Sequence, residues 1–103
     1  MPEYETPGVI QAEERFQITG PLVFETVAVL AGSLPDAADS LQIDLGKVTE
    51  ADSSALTLFL EWQRQAKSRQ IKLKFINWPG NLKSLLDLYN LEPILMAESN
   101  QSG

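Results

Sequence analysis

The segment of the sequence that is most informative about the fold is LQIDLGKVTEADSSAL, residues 41–56. In its first part, apolar residues from Leu41 to Leu45 alternate with polar ones, which is the pattern of a strand with one buried face. Further on, Asp52 and Ser53 precede an apolar run, and an oxygen from either side chain can accept a hydrogen bond from a backbone amide of a first helical turn. The stretch therefore predicts a strand that closes at Gly46-Lys47, a short loop and a helix that begins near Ser53.

Segments of the same two kinds flank this stretch on both sides. The alternation and the helical spacing of apolar residues predict a hairpin over 9–12 and 15–19 that ends at Gly20-Pro21, helices over 22–34, 53–68 and 80–90, a strand over 71–76, and a last apolar piece at 93–96. Strands that alternate with helices indicate an α/β fold, in which a four- to five-stranded mixed sheet is covered by the interspersed helices.

Composition narrows the class of protein. A chain of 103 residues with 44% hydrophobic residues suits one domain, which we expect over 9–96 between flexible tails at 1–8 and 97–103. The N-terminus carries acids and no apolar segment typical of a signal peptide, so we expect a cytoplasmic protein without direct membrane insertion.

The missing residue types exclude several kinds of site. The chain has no Cys and no His, which removes thiolate metal sites, disulfides and the commonest general base. We therefore expect no metal, no cofactor and no catalytic residue, and only the carboxylates of Glu50 and Asp52 could form a catalytic pair. A net charge of -6 argues against nucleic acid as a partner.

Basic residues are concentrated in one short segment of the chain, at Arg64, Lys67, Arg69, Lys72 and Lys74. Their simplest explanation is that cations are favourable at the C-terminus of a helix and that the rest lie in a solvated turn.

Residues 41–56 also resemble the signature of the STAS domain, the regulatory fold of anti-sigma factor antagonists and of MlaB-like subunits of lipid-transport ABC systems. The matching pattern is a hydrophobic strand, a short loop, and Asp52-Ser53 opening a helix. Upstream, Ile18-Thr19-Gly20-Pro21-Leu22 is similar to the exit of the family's first strand, and Leu88-Tyr89-Asn90-Leu91 is similar to the ending of the MlaB-like branch. The resemblance covers roughly residues 9–96 and implies the STAS fold.

The resemblance maps the residue that a partner kinase phosphorylates in phospho-regulated STAS proteins onto Ser53, with Ser54 as its neighbour. Ala55 stands where the family has Gly, which predicts less room for a partner's backbone or a phosphate. Three interpretations of Asp52 and Ser53 stay open: a helix cap only, a docking surface without phosphorylation, or a phosphorylation site.

We expect the partner surface on the turn and the first helical turns after Val48, where uncovered helix-start amides meet a wide apolar arc. Its residues are Thr49, Glu50, Asp52, Ser53, Ser54 and Thr57. The arc on the helix from Ala55 to Ala66 is either covered by neighbouring helices or in part a protein-binding patch. Trp78 is either a lid over the core or a contact residue.

Two functions follow from the resemblance. The first is a non-enzymatic accessory subunit that binds and regulates or stabilises the MlaF-like cytoplasmic ATPase of a bacterial phospholipid-transport ABC complex, which maintains outer-membrane lipid asymmetry. Such a subunit would be peripheral to the inner membrane through its partner complex. The alternative is an anti-sigma factor antagonist that a partner-switching kinase regulates by serine phosphorylation.

Overall fold

The chain folds around one four-stranded sheet. The computed structural model describes residues 7–12, 14–32, 34 and 39–95. The strands are β1 (Gly8–Ala12), β2 (Arg15–Leu22), β3 (Ser40–Ala51) and β4 (Lys72–Ile76), and they lie in the sheet in this order. Strand β1 is antiparallel to β2, whereas β2 is parallel to β3 and β3 is parallel to β4. The predicted mixed sheet is thus confirmed, with four strands.

Helices follow the strands in the predicted order. They are α1 (Ser53–Ser68), α2 (Gly80–Leu88) and the short α3 (Glu92–Leu95), and a single turn of 3₁₀ helix spans Val27–Leu30. The bounds predicted for α1 are confirmed, and α2 is two residues shorter than the predicted range 80–90. Within the described residues, no helix combines the length and apolar character needed to cross a membrane.

The hairpin of β1 and β2 forms as predicted, but β2 does not end at Gly20-Pro21. It continues to Leu22, with a shift of register between Gly20 and Pro21 and a φ of 90° at Gly20. Pairing with β1 stops at Thr19, which lies opposite Gly8. Pro21 therefore lies beyond the end of β1, where the missing N–H costs no ladder hydrogen bond on that side.

The helix predicted over 22–34 is wrong. Leu22 belongs to β2, residues 23–26 form a bend and turns, and among the described residues of this range only Val27–Leu30 are helical. The buried Thr26 side chain stabilises the turn. Its hydroxyl oxygen accepts a hydrogen bond from the Val23 N–H at 3.0 Å, and its O–H donates to the Pro21 carbonyl at 2.9 Å. The β-branched residues of this segment have weak helix propensity. The helical spacing of its apolar residues reflects only which of them face the core.

Strand β3 is also longer than predicted, since it continues past Gly46-Lys47 to Ala51. Its second half stays paired with β2 as far as Leu22 opposite Ala51, but β4 pairs only with residues 40–44. Residues 45–51 therefore have a neighbouring strand on one side only. This half of β3 carries Thr49 and Glu50 in exposed positions directly before α1.

One face of the sheet forms the core, and the other is polar. Apolar residues of β2, β3 and β4 join those of the helices in a single buried cluster that includes Ile18, Ile43 and Leu73 at 0% exposure. On the opposite face, the exposed Arg15 of β2 and Lys74 of β4 alternate along their strands with buried apolar residues, as expected for a sheet with one covered face. All of the helices that carry core residues thus lie on one side of the sheet.

Residues 1–6 and 97–103 of the two predicted tails lie outside the described residues, as does residue 96 at the end of the last predicted apolar piece. Residues 13, 33 and 35–38 also lie outside them. Within the predicted N-terminal tail, Pro7 is buried and Gly8 begins β1.

Candidate functional site

The turn from β3 into α1 is built around the side chain of Asp52. Asp52 has an extended backbone and is the N-cap of α1, where its Oδ1 accepts a hydrogen bond from the Ser54 N–H at 2.8 Å. Its carbonyl accepts from the Ala55 N–H at 3.0 Å. The predicted cap is confirmed, and Asp52 rather than Ser53 supplies the capping oxygen.

Asp52 also ties the helix start to two other parts of the fold. Its Oδ2 accepts from the Phe24 N–H at 3.1 Å, and its own N–H donates to the Leu22 carbonyl at 3.2 Å. On the other side, the Asn81 amide donates to the Ala51 carbonyl at 2.9 Å. The start of α1 is therefore fixed against the end of β2 and the start of α2, which makes its outer surface rigid.

These bonds correct one sequence-based expectation. The amides of Ser54 and Ala55 at the helix start are not uncovered, because Asp52 already accepts from both. The helix-start donors that a phosphate on Ser53 could bind are already occupied, and the Asp52 carboxylate lies next to it. The phosphate would therefore add about -1.5 to -2 charges to the surface and would not bind to the helix start.

The predicted surface residues form a ridge along the first turns of α1. Ser53 and Thr57 are exposed and Ser54 is half-buried. Since residues four apart lie on one side of a helix, Ser53 and Thr57 are neighbours along this α1 ridge, which we define as Ser53, Ser54 and Thr57. The exposed Thr49 and Glu50 lie before the ridge on β3, whereas Asp52 is half-buried.

Ala55 does not restrict this surface, contrary to the expectation drawn from the family's Gly. Its side chain is 0% exposed and belongs to the core cluster. The methyl group therefore fills space beneath the ridge, and the room above the ridge for a partner or a phosphate is the same as with Gly.

Two grooves run along the sides of the α1 ridge. The front groove, about 570 Å³, lies between α1 and the 3₁₀ segment, and it is lined by Ser54, Thr57, Leu58, Glu61, Phe24, Val27, Ala28 and Ala31. The side groove, about 300 Å³, lies towards the end of α2 and is lined by Ser53, Leu56, Thr57, Leu60, Tyr89 and Leu91. Thr57 lines both, so the ridge presents hydroxyl groups between two largely apolar depressions.

Sequence reasoning missed the aromatic residues beside the ridge. Phe24 is 75% exposed at the front groove, and Tyr89 is 51% exposed at the side groove. Phe24 was hidden inside a predicted helix, where exposure could not be read from spacing. Tyr89 lies in the segment that resembles the ending of the MlaB-like branch, and that resemblance does not predict its exposure. Exposed aromatic residues next to a polar ridge are typical contact residues of protein interfaces.

Neighbouring elements cover the wide apolar arc of α1. The residues predicted to form it are buried except for the half-buried Leu60, and Phe59 packs on Phe75 and Trp78 with ring centroids 4.9 and 5.6 Å apart. Trp78 is itself half-buried and packs against the core cluster. These contacts favour the interpretation of Trp78 as a lid over the core.

The two carboxylates that the sequence allows as a catalytic pair have different surroundings. Both oxygens of Asp52 accept backbone hydrogen bonds, while Glu50 is exposed. Among the described residues, no three His, Cys, Asp or Glu side chains lie close enough to hold a metal ion. What the arrangement offers is a rigid surface with hydroxyl and aromatic groups, which suits recognition of another protein.

Comparison with known proteins agrees with this fold. A family model described as Mlab, STAS domain matches residues 10–96. The chain is similar to the structure of the anti-sigma factor antagonist SpoIIAA in its unphosphorylated form, with a TM-score of 0.68 and 16% identity over 88% of this chain and 86% of that one. A sulfate transporter family protein from Wolinella succinogenes has a TM-score of 0.65 and 19% identity over 80% of this chain and 70% of that one. No curated protein matches the chain.

Proposed function

This chain belongs to the MlaB-like STAS domain family, and from that membership we propose that it is a non-enzymatic accessory subunit of a bacterial phospholipid-transport ABC complex. In this role it binds the cytoplasmic, MlaF-like ATPase and regulates or stabilises it, and the complex serves outer-membrane lipid asymmetry. The protein would be cytoplasmic and held at the inner membrane through the ATPase. STAS domains are generally regulatory or interaction domains without catalytic activity.

The observation that carries this proposal is the α1 ridge between its two grooves. A partner that places apolar side chains in the front and side grooves would cover Phe24 and Tyr89 and bring its own polar groups to Ser53 and Thr57. Such an arrangement has the apolar core and hydroxyl contacts of a specific protein interface. Thr49 and Glu50 would extend the contact along β3.

Asp52 has a positioning role in this proposal. It is half-buried, and its two oxygens join the helix start to the Phe24 backbone. The partner would therefore meet a preformed surface, and little conformational freedom would be lost when the complex forms.

The test is a charge placed on the ridge. Ser53→Glu should leave thermal stability nearly unchanged, because an acid near a helix N-terminus is tolerated. It should reduce co-purification with the ATPase subunit by at least about tenfold, since a buried unpaired charge costs several kcal/mol. Ser53→Ala should melt like the parent and bind with a smaller loss.

Ser84→Glu is the matched control, because Ser84 is exposed on α2 and lines none of the described grooves. If Ser53→Glu and Ser53→Ala both melt like the parent and both co-purify fully with the ATPase, the turn is only a helix cap and the interface assignment is wrong.

The alternative function is that of an anti-sigma factor antagonist regulated by a partner-switching kinase. The exposure of Ser53 favours it, together with the likeness to SpoIIAA in its unphosphorylated form. Under this proposal, a phosphate on Ser53 or Ser54 would add charge to the α1 ridge and release the partner. Incubation with an anti-sigma factor kinase and ATP, followed by mass spectrometry, should then show one added phosphate, and Ser53→Ala should lose it if Ser53 is the acceptor.

A further inference from the structure

A third groove lies along the second half of α1, beyond the ridge. This basic groove, about 630 Å³, is formed by the last turns of α1, the start of β4 and α3. Its cations are Arg64, Lys67 and Lys72, and its apolar residues are Leu60, Ile71 and Ile94. It thus includes three of the basic residues that the sequence gathers between positions 64 and 74.

Hydrogen bonds hold the apolar walls of the basic groove in place. The Gln63 side-chain amide donates to the Ile94 carbonyl at 3.4 Å, which links α3 to α1. At the end of α1, the Ile71 N–H donates to the Ala66 carbonyl at 2.8 Å and sets the direction in which the chain enters β4. Ile94 remains 53% exposed at the rim of the groove.

The charge of this groove is opposite to that of the protein. None of the described residues that line it is acidic, although the chain has a net charge of -6. Arg64 is paired with Glu61, with Nη2 and Oε2 2.6 Å apart. Within the described part of the chain, Lys67 and Lys72 form no salt bridge.

Matching of the helix dipole does not account for all three cations. Lys67 lies in the last turn of α1, where a cation is favourable. Lys72 is the first residue of β4, and Arg64 lies before that last turn. The dipole effect falls off within one turn of the helix end, so it does not explain the positions of Arg64 and Lys72.

We propose that the basic groove binds an acidic polypeptide segment of a partner protein, with carboxylates on Arg64, Lys67 and Lys72 and apolar side chains on Leu60, Ile71 and Ile94. The cations lie on two different elements, which suits several anionic groups along a chain better than one headgroup.

The basic groove lies farther along α1 than the ridge, and it shares Leu60 with the side groove. A partner segment in the basic groove would therefore extend the contact made at the ridge. Two linked contacts increase the overall affinity by raising the effective concentration of the second contact.

The experiment uses the whole chain and a short fluorescein-labelled peptide of Glu-Glu-Leu repeats, with binding measured by fluorescence anisotropy. The peptide should bind the parent protein, and binding should weaken as salt is added. The double variant Lys67→Gln/Lys72→Gln should weaken binding by about fivefold to tenfold, because each partly exposed charge pair contributes modestly. Ile94→Ala should also weaken it, since Ile94 offers apolar contact at the rim.

The matched control is Lys47→Gln/Lys83→Gln, which removes the same charge from exposed positions outside the groove. This control and Ser53→Glu should bind the peptide like the parent. Equal losses in the two double variants would show a general charge effect, and equal binding of a Gln-Gln-Leu peptide would show that carboxylates are not recognised. Either result, or binding to phosphatidylglycerol vesicles without binding to the peptide, overturns the proposal.

Discussion

Asp44 is a charged residue in an almost completely buried position, with 3% exposure in the middle of β3. Its Oδ1 accepts from the Gly46 N–H at 2.9 Å and from the Asn77 amide at 3.0 Å. Its Oδ2 accepts from Arg15 at 2.8 Å and from Gln17 at 3.3 Å. The side chain thus joins β2, β3 and the end of β4 on the polar face of the sheet.

The same contacts set the ionisation of Asp44. Burial by itself would raise the pKa of the carboxyl group, but hydrogen bonds from Gly46, Asn77 and Gln17, with the charge of Arg15, outweigh it and hold the pKa below its ordinary value. Because the folded pKa is depressed, this stabilisation is present above the unfolded pKa of about 3.9 and is lost as the pH falls through the folded pKa.

We therefore predict that Asp44→Asn destabilises the protein by about 1–3 kcal/mol at about pH 7, because buried donors lose their charged acceptor. The difference from the parent should shrink below about pH 4, because the carboxylate of the unfolded parent then becomes protonated while that of the folded parent stays ionised. Urea unfolding at several pH values measures both effects. Asp87→Asn, at an exposed position on α2, should change stability by less than about 0.5 kcal/mol. A difference that stays constant down to about pH 3 would contradict this account.

The two longer helices end in the same way, with a residue in the left-handed conformation. After α1, Gln70 has a φ of 61°, and the next residue, Ile71, donates back to the Ala66 carbonyl at 2.8 Å. After α2, Asn90 has a φ of 58°, and Leu91 donates to the Leu86 carbonyl at 2.9 Å. Both ends are Schellman motifs, in which Gly is the preferred left-handed residue.

The two positions differ in how well their residues tolerate this conformation. Asn adopts it more readily than most residues, whereas Gln has no such preference. We predict that Gln70→Gly stabilises the protein by about 0.5–1 kcal/mol, which is the relief of strain less the greater entropy that Gly loses on folding. Asn90→Gly should change stability by less. The midpoints of urea unfolding compare the two variants, and a destabilised Gln70→Gly would show that α1 ends without strain.

Aromatic residues connect the layers of the whole molecule. Trp62 of α1 packs on Phe16 of β2 and on Phe59, with ring centroids 5.8 and 6.1 Å apart. Phe75 of β4 and Trp78 continue the cluster, with their centroids 5.5 Å apart. Both tryptophans of the chain therefore report on packing between the sheet and the helices.

Because one cluster joins these elements, we predict that the protein unfolds in a single cooperative transition. Tryptophan fluorescence and far-UV circular dichroism should give the same urea midpoint, with a slope of about 1 kcal/mol/M for a domain of this size. A fluorescence transition that precedes the loss of helix would contradict the prediction, since it would show that the cluster opens before the helices unfold.

The parts of this protein that depend on local chemistry can be predicted from the sequence alone. Alternation predicted the strands, Asp52 and Ser53 predicted the start of α1, and the helical spacing of apolar residues over 80–90 predicted α2. These patterns succeed because a strand with one buried face and an amphipathic helix each impose a fixed period on apolar residues. The family resemblance of residues 41–56 rests on the same local features.

The lengths of β2 and β3, the shape of the segment after Leu22 and the surroundings of the ridge depend on tertiary contacts and could not be predicted from local sequence. Strand β3 reaches Ala51 because β2 pairs with it there, and pairing between distant segments leaves no periodic signal in either one. The exposure of Phe24 and the burial of the Ala55 methyl have the same origin, since both depend on which elements pack against α1. The α1 ridge, its grooves and the basic groove exist only where separate segments meet, and the physical reason is that burial is a property of the packed chain rather than of a residue in its local sequence.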